Sequence, residues 1–303
     1  MKTVVVGYGS IGQRHAEVLS EQGHEVAIVS CRDINHQNRF SNIEEAVSEF
    51  HPSYTIIASS TNEHQKDIQE LSDTGFTGLL MIEKPVYAHG IEAIPSQFSR
   101  AKVAFNLRFH PALLRFREEL ASREVHAVSA YVGSYLPSWR PTSDYRKGYS
   151  ADPSRGGGVL RDLSHELDFL LWIFGDWNKL TSLGGHFSNL EISSDDVYSI
   201  LFATDRVPAI SLNMNYLDTT TRRNVTALTD KGSVHLDLVQ GTVSSPQGTE
   251  TYSVERNDTY NAQHAAMLKD DNTIICDISE GLKVMRMIDA VENAAQQDAW
   301  VYA

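Results

Sequence analysis

Lys84 is the first residue whose setting invites chemistry. It lies in "EKP", between Glu83 and Pro85, directly after the apolar run "GLLMI". Pro85 keeps the preceding residue extended rather than helical, so Lys84 stands at the end of a strand. There an ammonium can stabilise developing negative charge, although a lysine in such a place is commonly just solvated. The second group lies in "GGGVLRDLSHELD", residues 156–168. At about 100° per residue, Asp162 and His165 fall about 60° apart on one helical face. An aspartate beside an imidazole can orient it and let it exchange a proton near neutral pH. Opposite them Leu160, Leu163, Leu167, Leu171 and Phe174 form an apolar stripe, and one turn on Phe169, Trp172 and Ile173 make the far side apolar too. A helix apolar on both sides is buried, and buried charge needs a partner or a purpose. A core histidine satisfied by its neighbouring aspartate is the competing reading of the same residues.

The elements that must position these groups begin with "TVVVGYGSIGQRHAEVLSEQGHEVAIVSCR". A β-branched run leads into Gly7-Tyr8-Gly9-Ser10-Ile11-Gly12, then a helical stretch, then a second strand over 25–29. Strand, G-x-G-x-x-G, helix and strand at this length predict a dinucleotide site. Gly7 permits the tight turn, Gly9 a close approach to a pyrophosphate, and Gly12 close packing of helix on strand. The helix N-terminus, with Ser10 and Ile11, offers N–H groups to phosphate. The second strand ends "AIVSCRD", with Ser30 where an NAD enzyme usually places an acid, and Arg32 two residues on. A hydroxyl and a guanidinium suit a 2′-phosphate, so NADP(H) is favoured over NAD(H), with the adjacent Asp33 as the feature favouring NAD.

Further strands follow at "YTIIASST", "GLLMIEKP" and "KVAFNLRFHP", and Thr61 or Asn62 is placed to cap the helix "NEHQKDIQELSDTG". In open α/β sheets ligands lie beyond the carboxyl ends of the strands. Ser59, Ser60, Thr61, His64, Glu83, Lys84 and Asn106 are therefore expected around the cofactor, with Arg108 reaching substrate. After the helical "HPALLRFREELASRE", period-two strands take over. In "AISLNMNY", Ile210, Leu212, Met214 and Tyr216 share one face while Ser211, Asn213 and Asn215 share the other, as in an antiparallel sheet packed on one side. "EGLKVMRMIDAVENAAQQ" is a closing helix. The arm "SYLPSWRPTSDYRKGYS" interleaves Trp139, Tyr145 and Tyr149 with Arg140 and Arg146. It suits either stacking on a sugar and holding its acidic group or latching a second subunit.

The bulk composition narrows the function classes. The chain has 303 residues, enough for two domains of ordinary size, expected at 1–120 (NAD(P)-binding Rossmann) and 121–303 (substrate binding and oligomerisation, α+β). A net charge of −13 argues against a nucleic-acid partner, which needs a basic face. No apolar run is long enough to span a bilayer, and "MKTVVVGYG" lacks a signal-peptide core, so a cytoplasmic protein is expected. Cys31 and Cys276 give neither a disulfide framework nor metal spacing, and no metal is expected. A sheet with one open face predicts a homodimer or a dimer of dimers.

With these elements in order, the chain resembles the glucose-fructose oxidoreductase / inositol dehydrogenase / MocA family over essentially its whole length. The resemblance is carried by "GYGSIGQRH", "EKP", "NLRFHP" and "GGGVLRDLSHELDFLLWIFG". It implies an N-terminal Rossmann domain, a C-terminal domain with an open-faced, mainly antiparallel sheet, and NAD(P)-dependent hydride transfer at a secondary alcohol or ketone of a sugar, cyclitol or activated sugar. It also implies that Lys84 is the catalytic lysine, followed by a cis proline, and that His165 is the acid/base histidine. The family's aspartate usually stands four residues before that histidine, where this chain has Arg161. Asp162, three before, lies on the same face and is expected to orient His165 or bind a substrate hydroxyl. The "WRP…DYR…Y" arm resembles members from bacterial surface-sugar pathways. A silent nucleotide sensor on this fold would be expected to lose the lysine–histidine pair, which this chain keeps. A reductase of a non-sugar substrate is a further reading. Gly156–Gly158 are expected to start one continuous helix against the crevice, with His165 two turns in.

Overall fold

The computed structural model describes residues 1–90 and 93–303. Its strands in chain order are β1 (Lys2–Val6), β2 (Glu25–Val29), β3 (Arg39–Phe40), β4 (Tyr54–Ile57), β5 (Leu79–Ile82), β6 (Arg100–Val103), β7 (Val125–Gly133), β8 (Trp177–Gly185), β9 (Val197–Thr204), β10 (Ile210–Asn215), β11 (Arg222–Thr229), β12 (Gly232–Asp237), β13 (Thr242–Ser245), β14 (Gly248–Thr251), β15 (Cys276–Asp277) and β16 (Val301–Tyr302). The α-helices are α1 (Ser10–Glu21), α2 (Ile43–Glu45), α3 (His64–Asp73), α4 (Pro111–Leu120), α5 (Val159–Asp162), α6 (His165–Phe174), α7 (Asp258–Lys269) and α8 (Ile278–Gln297). Among the described residues no helix is long and apolar enough to cross a membrane.

The chain forms two compact units, residues 1–106 with 256–282 and residues 107–255 with 283–303. This replaces the single division expected at 120/121. In the first unit, returning residues complete the fold. β15 adds antiparallel to β6, pairing Cys276 with Val103, and α7 lies on α1, where the Gln22 amide donates to Asn261 at 3.0 Å. In the second unit, α4 is tied to β14 by Arg115, whose Nε donates to Glu250 at 2.8 Å.

The first sheet runs β15-β6-β5-β4-β1-β2-β3 and is parallel except for β15. Its β-branched strands are buried on both faces, as parallel strands between helices must be. The order reverses at β1, which puts the ligand crevice at the ends of β1 and β4. Neither Thr61 nor Asn62 caps the following helix. A tight turn over Thr61–Glu63 intervenes, and α3 begins at His64 with no side-chain cap.

The second sheet runs β14-β13-β12-β11-β7-β10-β9-β8-β16. It is antiparallel apart from the β7–β10 pair. Alternation holds along β10: Ile210, Leu212, Met214 and then Tyr216 are buried, while Asn213 is exposed and Ser211 and Asn215 are half-buried. α8 covers part of the inner face, where the Ser182 hydroxyl donates to the Val291 carbonyl at 2.6 Å.

The expected continuous helix after the three glycines is two helices. α5 ends at Asp162, Leu163 leaves the helical region at φ −98°, ψ 24°, and α6 starts at His165. His165 is thus a first-turn residue. Different partners hold the two pieces, as described below, and Ser164, a weak helix former, lies at the joint. The glycines serve the chain itself. A Cβ on Gly157 would lie 2.0 Å from the Tyr149 carbonyl oxygen, and one on Gly158, at φ +125°, would lie 2.2 Å from Asp195 Oδ1. With only four residues, α5 offers no helix terminus to a substrate.

Candidate active site

The first unit carries the features expected of a dinucleotide site. Gly7 has φ +93°, and a Cβ there would meet the Ala58 carbonyl at 2.5 Å; one on Gly12 would lie 2.1 Å from the Gly7 oxygen. Nothing lies within 4 Å of a Cβ built on Gly9, so the loop is open where a pyrophosphate would approach. Arg32 reaches back over this loop, its Nη2 donating to the Tyr8 carbonyl at 2.7 Å, while its N–H donates to the Ser30 hydroxyl at 3.2 Å. Asp33 is exposed and lies 3.8 Å from Arg39. These residues fit a dinucleotide.

At the ends of β4 and β5 most polar groups are engaged inward. The Ser59 hydroxyl donates to Asp67 at 2.5 Å, and burial pushes the Asp67 carboxyl up to about 6. His64 is buried between the Ser59 and Val86 carbonyls, at 3.3 and 3.1 Å, and burial lowers its pKa. It therefore positions the loop around Pro85. Ser60 is exposed and Thr61 buried. The Lys84–Pro85 peptide is cis. Glu83 is buried, and its Oε2 accepts the Lys84 N–H at 3.1 Å. The Asn106 amide is also buried, donating to Thr259 of α7 at 2.8 Å.

In the second unit Asp162 is buried and accepts the Tyr216 hydroxyl at 2.6 Å. Tyr149 also bonds to it, and burial together with this carboxylate raises both phenols well above their ordinary range. Arg161, at the family's aspartate position, turns instead into a bidentate pair with Glu292 of α8. Asp195 fastens the start of α5. Its carbonyl accepts from Val159 N–H and its carboxylate from Leu160 N–H, both at 3.0 Å. α6 is fastened by Glu166 to Arg223 at 2.7 Å and by Asp168 to Arg108 at 2.6 Å. Nearby, Leu107, His110, Ser134, Trp139, Arg222 and Arg223 help line a cavity of about 260 Å³.

Models of known families match most of these elements. One, described as the oxidoreductase family with an NAD-binding Rossmann fold, matches residues 1–102; another, the GFO/IDH/MocA C-terminal domain, matches residues 114–235. The chain belongs to the GFO/IDH/MocA family. It is an NAD(P)-dependent oxidoreductase of that family. GenD2 from gentamicin A biosynthesis, solved with NAD, superposes with a TM-score of 0.83 at 18% identity, covering 100% of this chain and 96% of that one. The WlbA dehydrogenase from Bordetella pertussis, in complex with NADH and UDP-GlcNAcA, gives 0.82 at 16% identity, with 100% and 98% covered. A levoglucosan dehydrogenase in complex with NADH gives 0.84 at 14%, again with 100% and 98% covered. No curated protein sequence matches the chain.

Against this family background, several expected site residues take other places. Arg108 is not available to a substrate. It and Asp168 are each 2% exposed, and the guanidinium also lies 5.1 Å from the Trp172 ring centre. Arg146 is an exposed residue paired with Asp144 and Glu191, and Tyr145 accepts from Glu191 N–H at 3.4 Å, so this end of the arm folds onto its own surface. The other end turns inward. Trp139 stacks edge-on to Tyr216 at 5.2 Å, and the Arg140 guanidinium lies 5.9 Å from the Tyr149 ring centre. Tyr216, read from sequence as a core-facing strand residue, is the main partner of Asp162. Asp195 carried no motif and was missed; the acidic pair "DD" before a strand was its only trace.

Proposed function

We propose that this oxidoreductase interconverts a secondary alcohol and a ketone on a sugar or activated sugar, with NADP(H) preferred. The observation that carries the reading is the Asp162–Tyr216 clamp of 2.6 Å, with Arg161 drawn off to Glu292. It leaves Asp162 as the acidic group before His165, despite the shifted spacing. When bound, the nicotinamide takes or returns the hydride. His165 exchanges the proton at the reacting oxygen. Lys84 stabilises negative charge developing on that oxygen. Asp162 orients His165 or accepts a substrate hydroxyl. The cavity beside Trp139 supports a sugar ring, because it offers an aromatic wall and two hydroxyls (Ser134 and Thr221).

The open face of the second sheet fits a second copy of the chain. Leu183 and Leu201 are exposed there among small polar residues, including Ser199 and Asn213. A homo-oligomer in the cytoplasm, where Cys31 and Cys276 stay reduced, is the form we propose. Light scattering at micromolar concentration should give at least a dimer, and a monomer would remove this part of the proposal. The activity is tested by NADP⁺ and NAD⁺ reduction across sugars, sugar phosphates, nucleotide sugars and cyclitols. Turnover of one of these is expected. Turnover only of a non-sugar, or tight cofactor binding with no turnover anywhere, would overturn it.

A further inference from the structure

Four buried side chains of the first unit form a hydrogen-bonded chain beneath Lys84. Tyr54 of β4 lies 2.8 Å from His264 Nδ1. His264 Nε2, on α7, lies 2.8 Å from His15 Nδ1 of α1. His15 Nε2 lies 2.8 Å from Glu83 Oε1, and Glu83 Oε2 takes the Lys84 N–H at 3.1 Å. Tyr54, His15 and His264 are each 0% exposed, so no water completes this set from outside.

The protons along it run in one direction. Tyr54 has a single O–H and two neighbours, His264 at 2.8 Å and the Met81 sulfur at 3.4 Å. Sulfur is the weaker acceptor, so the proton goes to His264. A neutral His264 that accepts at Nδ1 carries its proton on Nε2 and donates it to His15 Nδ1. His15 in turn carries its proton on Nε2 and donates it to Glu83. Glu83 then accepts on both oxygens, as a carboxylate does. The reverse direction would end on sulfur and would require either a protonated Glu83 or a charged His15 donating from both ring nitrogens. Burial also holds the His264 pKa well below its ordinary value, which fits a neutral ring. The charged and titratable groups facing the chain are Lys84, His24, His64, Tyr260 edge-on to His15 at 5.3 Å, and Arg14 at 5.3 Å from the Tyr260 ring centre.

We infer that His15, His264 and Tyr54 are positioning residues for Lys84: the oriented chain holds Glu83 as a carboxylate in one rotamer, and Glu83 fixes the Lys84 peptide. This rests on Lys84 acting in hydride transfer, as proposed above. It also gives the histidine of "GQRH" a role and ties the helix after the glycine turn to the lysine. His264, contributed by the returning segment, completes the device.

The test has one arm that needs no substrate. Long-range proton–nitrogen NMR of histidine should find His15 and His264 each with its proton on Nε2 and none on Nδ1. In His264→Phe, which keeps ring volume, His15 should lose that fixed tautomer and the Lys84 amide should exchange at least ten-fold faster. Tyr54→Phe is the milder variant and should move both signals the same way by less. In the second arm, hydride transfer from the first panel sugar oxidised by the wild type should fall about ten-fold in His264→Phe, with NADPH affinity changed less than two-fold. His15→Gln, which can still donate to Glu83, should recover most of the rate lost in His15→Phe. A charged or Nδ1–H His15 in the wild type, or a Lys84 amide untouched by both variants, would overturn the chain itself, whatever the activity. NMR changes as expected with an unchanged hydride-transfer rate would overturn its positioning role. If no panel sugar reacts even with the wild type, the proposed activity fails and the positioning role fails with it, while the NMR arm still decides the hydrogen-bonded chain.

Discussion

Glu83 of the first unit and the acids of α6 in the second are held by different kinds of donor. On α6, Asp168 and Glu166 are each met by a guanidinium, and Arg161 meets Glu292 in the same way. Glu83 accepts from an imidazole and a peptide N–H, and Asp162 from phenol hydroxyls. A guanidinium cancels the charge it binds and locks two elements together. Neutral donors hold a carboxylate in place without cancelling its charge. Glu83 and Asp162, two of the neutrally held carboxylates, stand one and three residues from Lys84 and His165. Among these acids the type of donor separates those that fasten α6 from those beside the proposed chemistry, while Asp195, which fastens α5, is also held by a peptide N–H.

The largest expected effect falls on the chemistry side. Lys84→Ala and His165→Ala should each lower single-turnover hydride transfer by about 10²–10⁴. His165→Ala should leave NADPH affinity and unfolding midpoint near wild type. A His165→Ala enzyme at full speed would make this histidine a core residue and dissolve the distinction.

Next comes the fastening side. Asp168→Asn strands a buried Arg108, and breaking such a pair costs about 3–5 kcal/mol. Urea unfolding should report that loss, and the folded fraction should keep its KM. A large rise in KM with unchanged stability would return Arg108 to the substrate.

Arg32→Ala sharpens the comparison at an exposed guanidinium. Losing a charge-assisted phosphate contact should weaken NADPH binding by about 1.5–3 kcal/mol, with NADH hardly affected. Equal weakening of both, by fluorescence titration, would remove the 2′-phosphate assignment.

The smallest effect concerns Asp195, held by peptide N–H groups at the start of α5. Burial pushes its carboxyl up to about 6, from an ordinary 3.8. Between these values the folded chain binds the proton more tightly than the unfolded one, so stability falls as pH rises from 3.8 to about 6. Asp195→Asn should remove that slope, and at pH 8 should recover at most about 3 kcal/mol, because Asn keeps one acceptor for Leu160 N–H. Asp67, raised for the same reason, keeps its own share of the slope. Unfolding at pH 4, 6 and 8 measures this, and an unchanged slope would mean that Asp195 ionises normally.

Much of this could be read from the residues. The parallel strands were legible because strands buried on both faces, such as "TVVV" and "YTII", are written as apolar runs. β10 was legible because a half-buried strand alternates. β8 was not, since "WNKLTSLGG" leaves Leu183 exposed and ends in two glycines. The break between α5 and α6 was hidden by a leucine stripe that continues across it. Arg108 was placed at the substrate because local pattern carries no information on a partner sixty residues away. The same blindness concealed His264, whose surroundings in "YNAQHAAM" look like any helix. Pairings across long separations are set by packing, and a local period does not encode them.

The return of residues 256–282 to the first unit has a consequence for the order in which the protein is made. A ribosome delivers β1 to β6 early, and these strands can pair as they emerge. α7 and β15 follow only after β7 to β14 have been synthesised. Until then His15 has no His264 to accept from, and β6 is an uncovered edge. The nascent chain would thus display its glycine turn long before the set beneath Lys84 closes, so the enzyme comes into working order only once residues 256–282 have been made.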